Sequence, residues 1–373
     1  MAVSYLSKLF FDGEQLHQDA CVTVEDGKVV SLQPQANAET VEVDGLLAPG
    51  FVDVQVNGGG GVLFNTDQSV QGLSTILKAH ARFGTTAMLP TLITDGLDII
   101  RKAADGMAEA IAANTPGIWG IHFEGPHLSM PKKGIHREQF IRPVTDAELA
   151  QFCRTDLGKV LVTLAPENVP VDIIRELVSR GVKVCLGHSN ADVDTTLAAI
   201  EAGADGFTHL FNAMSAMTSR EPGMVGAALA SDSYCGLILD HYHVHAVSAK
   251  AAIKAKGIER IMLVTDAMAH VGADMNELPF FDTTIRRDGD MLTIPGGTLA
   301  GSALDMASAV RNCHRDLGFS LNDSLQMASL TPARYLGLEN KLGKLLPGYQ
   351  ADMVLLDDNQ QVKQNWIGGQ AML

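Results

Sequence analysis

VKVCLGHSNADVDTTLAAIEAGADGFTHLFN, residues 182–212, holds two apolar runs that each deliver a histidine. VKVCLGHS ends near His188, DGFTHLFN carries His209, and a helix-sized stretch separates them. Strand, crossover helix and strand is the repeating unit of a parallel sheet. Working outward, the unit recurs. Upstream lie IWGIHFEG (118–125), which delivers Glu124, and KVLVTLAP (159–166). Downstream lie CGLILD (235–240) and RIMLVTDA (260–267), which delivers Asp266. With PGFVDVQV (49–56) and TTAMLPT (85–91) the strands number eight, enough to close a (β/α)₈ TIM-like barrel. Helix-like stretches such as VQGLSTILKAHARFG (70–84) and VDIIRELVSRG (171–181) fall between strands. Side chains at the C-terminal strand ends of such a barrel converge on one mouth. Glu124, His188, His209 and Asp266 are therefore expected to meet there.

Both ends of the chain read differently. Residues 1–48 give short strands with Asp26-Gly27 as a hairpin signal, and residues 336–373 give ADMVLLD and VKQNWIGGQ around Asp357-Asp358-Asn359. The expected organisation is an α/β chain. A catalytic barrel spans 49–335, and a small β-sandwich domain forms from 1–48 and 336–373. After the eighth strand comes an insert, FFDTTIRRDGDMLTIPGGTLAGS, with a hairpin signal at Asp288-Gly289.

A formal net charge of −15 argues against nucleic acid or an anionic membrane surface as partner, and leaves room for a small anionic substrate in a local basic pocket. Five scattered cysteines without a C-x-x-C pair fit reduced thiols. The start reaches polar residues too soon for a signal peptide, and no apolar run spans a bilayer. A cytoplasmic protein is expected. HFEGPHL and PGGTLAGS have neither P-loop nor dinucleotide spacing, so no nucleotide is assigned.

Glu124, His188 and His209 offer one carboxylate and two imidazoles, ordinary ligands of a divalent ion. Three ligands plus an open position suit catalysis. Asp266 reads either as a helix cap or as a general base beside the ion; its strand-end position favours the base. The first strand carries Gln55-Val56-Asn57 where related metal-dependent barrels often place His-x-His, and amides are poor ligands. One divalent ion is therefore expected, zinc first, with Fe, Co, Mn or Ni as alternatives. His241, His243 and His245 alternate in DHYHVHA. They read as a substrate-facing loop with His243 functional and the outer two solvated. Lys132, Lys133, His136, Arg137 and Arg220 stand out in an acidic chain and suit phosphate or carboxylate recognition. The Pro, Gly and paired Lys near 130–137 suggest a mobile flap.

LAPGFVDVQVNGGGGV, HFEGPHL with KKGIH, LGHSNA, THLFNAM, REPG, LVTDA and the closing ADMVLLD together resemble the amidohydrolase superfamily. Within it they resemble the N-acetylglucosamine-6-phosphate deacetylases. The resemblance runs from about residue 47 to 356. It implies Glu124, His188 and His209 as metal ligands, Asp266 as general acid/base, and His136 near the acetyl carbonyl. It further implies that His136, His243, Asn212, Ala213 and Arg220 bind the sugar phosphate, Arg220 reaching the neighbouring subunit of a homodimer. The implied reaction gives D-glucosamine 6-phosphate and acetate in amino-sugar catabolism. The galacto epimer as substrate, a cyclic-amide hydrolase and a metal-free scaffold barrel are the competing readings.

Overall fold

The computed structural model describes residues 2–35 and 38–372; residues 1, 36–37 and 373, which fall within the two expected terminal units, lie outside the described residues. Eight parallel strands form the central sheet, each neighbour in the sheet being the neighbour in sequence. In order they are Phe51–Val56, Thr85–Ile93, Gly120–Glu124, Lys159–Leu164, Lys183–Leu186, Gly206–Phe207, Tyr234–Leu237 and Ile261–Leu263. A parallel bridge between Val56 and Ala267 joins the first strand to the segment after the eighth and closes the barrel. The strands are mostly apolar and buried nearly throughout because helices cover the outside and side chains fill the inside. Helices Val70–Ala81 and Val171–Ser179 occupy the periodic stretches expected from sequence. The crossover after the fifth strand is the helix Val193–Glu201, started by Asp192, whose side chain accepts from Thr195 N at 2.8 Å.

The chain ends meet in one seven-stranded mixed sheet, in which Met353–Leu356 pairs antiparallel with the end of Glu39–Pro49. Hydrogen bonding links all its strands into this single sheet. Tight turns follow the Asp-Gly signals: Glu25 pairs with Lys28, and Asp288 with Met291. The insert after the eighth strand is a three-stranded antiparallel sheet, Glu277–Phe280, Thr283–Asp288 and Met291–Thr293. It packs Leu278, Phe280, Ile285 and Leu292 against Met268 and Ala269 at the barrel mouth. The insert therefore stands over the end of the barrel where the strand-end residues converge.

Candidate active site

Glu124 is the last residue of the third strand. His188 and His209 each lie two residues beyond the fifth and sixth strands, and Asp266 lies three beyond the eighth. Three of the four leave the strand through left-handed backbone, with φ of 47° at His188, 36° at His209 and 52° at Asp266. L-residues adopt that region at a cost, and it concentrates at functional sites. The turn swings each side chain inward over the barrel. Gly125 serves the same end at the third strand: with φ of 87°, a Cβ there would meet Thr94 Oγ1 at 2.2 Å.

Glu124 Oε1 lies 3.1 Å from His209 Nε2 and 3.2 Å from His188 Nε2, and the two Nε2 atoms are 3.0 Å apart. All three residues are buried, with 2–6% of their surface exposed. His188 Nδ1 donates to Lys132 O at 2.8 Å, so its Nε2 lone pair faces the centre. Among the described residues this is the group of His, Cys, Asp and Glu side chains whose donor atoms could hold a metal. The donor set fits a divalent ion: a carboxylate oxygen and two imidazole nitrogens converge on one buried point.

Asp266 stands beside this centre. Burial, then the negative charge of Glu124, push its carboxyl up to about 6. A cation in the centre acts in the opposite direction. Asn57 Nδ2 donates to Asp266 Oδ1 at 2.7 Å, and Gln55 Nε2 donates to the same oxygen at 3.1 Å and to Glu124 Oε1 at 3.2 Å. The pair that sequence reading noted only as missing ligands is thus a pair of donors, spanning both carboxylates. That role was hidden because it depends on partners 69 to 211 residues away.

His136 enters from the loop after the third strand and packs its ring on His188, centroids 4.3 Å apart. The Thr94 N–H donates to His136 Nδ1 at 3.3 Å, and Thr94 Oγ1 lies 2.8 Å from the same nitrogen. Nδ1 then accepts, which places the ring proton on Nε2. Burial, with the neighbouring His188, holds the His136 pKa well below the ordinary histidine value. Thr94 carries no sequence signal of this duty.

The centre opens into a cavity of about 320 Å³ lined by Glu124, His136, His188, His209, Asn212, Ala213, His243 and Asp266. Lys132 and, from the insert, Thr298 and Leu299 also line it. Of the three alternating histidines only His243 lines it. The segment is a run of bends and not an extended strand. His241 pairs with Asp316 at 2.9 Å on the surface, and His245 caps the helix Ala246–Lys256. Arg220 is exposed and does not line the cavity of its own chain. Lys133 turns outward to Glu138. Arg137 lies between the Phe140 and Phe281 rings, at 4.8 and 4.5 Å, tying the 130–140 loop to the insert.

The amidohydrolase family matches residues 46–372. An N-acetylgalactosamine-6-phosphate deacetylase of Shewanella sp. (strain ANA-3) is 50% identical over 365 residues, covering 96% of this chain and 92% of that protein. An N-acetylglucosamine-6-phosphate deacetylase of Haemophilus influenzae is 33% identical over 360 residues, covering 94% of each. Among solved structures, the N-acetylglucosamine-6-phosphate deacetylase of Pasteurella multocida superposes with a TM-score of 0.96 at 33% identity, covering 100% of this chain and 99% of that one.

Proposed function

From the premise that the chain belongs to the amidohydrolase family, we propose that it is a metal-dependent deacetylase. It removes the acetyl group of N-acetyl-D-glucosamine 6-phosphate to give D-glucosamine 6-phosphate and acetate. The observation that carries this reading is the convergence of Glu124, His188 and His209 with Asp266 held beside them. The named relatives, all hexosamine-6-phosphate deacetylases, support the substrate class.

Glu124, His188 and His209 would hold one divalent ion, zinc by choice of donors. When bound it supplies Lewis acidity toward water and the acetyl carbonyl. The chain's own residues do the rest. With Oδ1 tied to Gln55 and Asn57, Asp266 offers Oδ2 as the oxygen that takes the proton of the attacking water. It then passes that proton to the leaving nitrogen, which departs poorly as an anion. His136 points Nε2–H at the acetyl oxygen, where negative charge develops. His243, Asn212, Ala213 and Lys132 receive the sugar phosphate. Arg220, exposed away from its own cavity, is assigned to the neighbouring site in a homodimer. We take 49–335 as the catalytic barrel and 1–48 with 336–373 as the β unit. We place the reaction in cytoplasmic amino-sugar catabolism.

The galacto epimer is a second reading, favoured by the 50% identity with the Shewanella relative. Acetate release from both epimers, before and after chelation and with zinc restored, tests the two together. Chelator-sensitive release from the gluco substrate, at higher kcat/KM, is expected. Preference for the galacto substrate shifts the assignment to the epimer, and release that survives chelation overturns the metal-dependent reading.

A further inference from the structure

A second buried carboxylate and imidazole pair sits at the mouth, outside the metal centre. Asp240 lies three residues beyond the seventh strand. Its Oδ2 is 2.6 Å from His243 Nδ1, and the two side chains are 4% and 7% exposed. Its Oδ1 accepts the backbone N–H groups of Tyr242 and His243, each at 2.9 Å. His243 lines the substrate cavity; Asp240 lines a different cavity behind it. Because Nδ1 is committed to Asp240, Nε2 is the ring atom left for a ligand.

We infer that Asp240 is a positioning residue for substrate binding, fixing the His243 ring with its proton on Nδ1 and its Nε2 toward the sugar phosphate. This rests on the reading of the cavity as the sugar-phosphate site. Burial pushes the Asp240 carboxyl up, but His243 and the two backbone N–H groups outweigh it and hold the pKa below the usual value. Asp240 is therefore ionised and accepts only, so the shared proton belongs to Nδ1. Two backbone donors on Oδ1 also fix the carboxylate plane, which a side chain hydrogen-bonded to His243 alone would not have. The strand end beneath is held in turn, Asn312 Nδ2 donating to Leu239 O at 2.6 Å.

Asp240→Asn separates positioning from loop architecture. The two backbone N–H groups demand an oxygen at the Oδ1 place, so the amide nitrogen faces His243 Nδ1. The amide N–H then donates, so His243 Nδ1 must accept, and the ring proton moves to Nε2. The loop's own hydrogen bonds survive, while the polarity that His243 presents to the cavity changes. The experiment is nitrogen NMR of the imidazoles in wild type and Asp240→Asn, with steady-state kinetics of Asp240→Asn, His243→Ala and the double variant. Expected are a proton on Nδ1 in wild type and on Nε2 in the variant. KM should rise about tenfold while kcat falls less than about threefold. Adding Asp240→Asn to His243→Ala should raise KM no further. An Asp240→Asn KM within about twofold of wild type, or the same increment without His243, overturns the inference and leaves Asp240 a loop-shaping residue. The NMR comparison needs no substrate. Loss of the substrate reading is thus seen separately, as wild type that releases acetate from neither epimer.

Discussion

The seven-stranded sheet and the barrel mouth are both buried, and they are built to opposite rules. In the sheet, Tyr5 meets Trp366 edge-on at 5.1 Å, with Phe10, Leu47 and Leu355 buried around them. Two of its buried hydroxyls pair with each other, Ser4 Oγ with Thr23 Oγ1 at 2.8 Å. At the mouth, carboxylates and imidazoles take the buried places. His188, His209 and Asp266 sit in left-handed backbone, and His209 Nδ1 and Asn57 Oδ1 have no hydrogen-bond partner. One region chiefly removes apolar surface from water; the other gathers buried carboxylates and imidazoles on strained backbone. Stability and activity should therefore separate by mutation.

Asp266→Asn gives the largest expected effect. Turnover should fall about 10²–10⁴-fold, the range of a lost general acid or base. The melting temperature of the metal-free protein should hold or rise, because the change removes a carboxyl that burial and Glu124 push up to about 6. Turnover near wild type would move the proton transfer to another group. Trp366→Ala is the converse test in the sheet: it should lower stability by about 3–5 kcal/mol. Its kcat, measured below the new melting point, should stay within about twofold of wild type. A large kcat loss in that still-folded variant would show that the two regions are coupled. The smallest effect is at Asp352, where burial pushes the carboxyl up to about 7 against one hydrogen bond, from Gly368 N. An acid raised in the folded state binds more protons there than when unfolded, so its stabilising proton is lost as pH rises toward 7. Asp352→Asn should raise the melting temperature more at pH 8 than at pH 5. Equal shifts at both would mean that Asp352 is ionised in the native protein.

The barrel was legible because its strands are short apolar runs at helix-length spacing, and the candidate metal site because three of those runs lead into Glu124, His188 and His209. The strand ends were not. The run DGFTHLFN suggests a strand carrying His209, yet the strand is only Gly206–Phe207. The left-handed turn at His209 breaks the ladder before that histidine. Gly is the residue that advertises such turns most clearly in a sequence, so His188 and His209 gave little warning. The amides Gln55 and Asn57 were visible as an absence of histidine, but their grip on Asp266 depends on the closure between the first and last strands. Alternation made three histidines in DHYHVHA look equivalent. The bends of that loop, set by the Asp240 hydrogen bonds, bring only His243 to the cavity.

The most direct test of the metal-dependent reading is the metal content per chain of the purified protein and of His209→Ala, measured with acetate release from the same samples. One ion per chain in wild type, lost together with acetate release in His209→Ala, is the expected result. Full acetate release from protein that carries no metal, or from His209→Ala stripped of it, would contradict a deacetylase built on Glu124, His188 and His209.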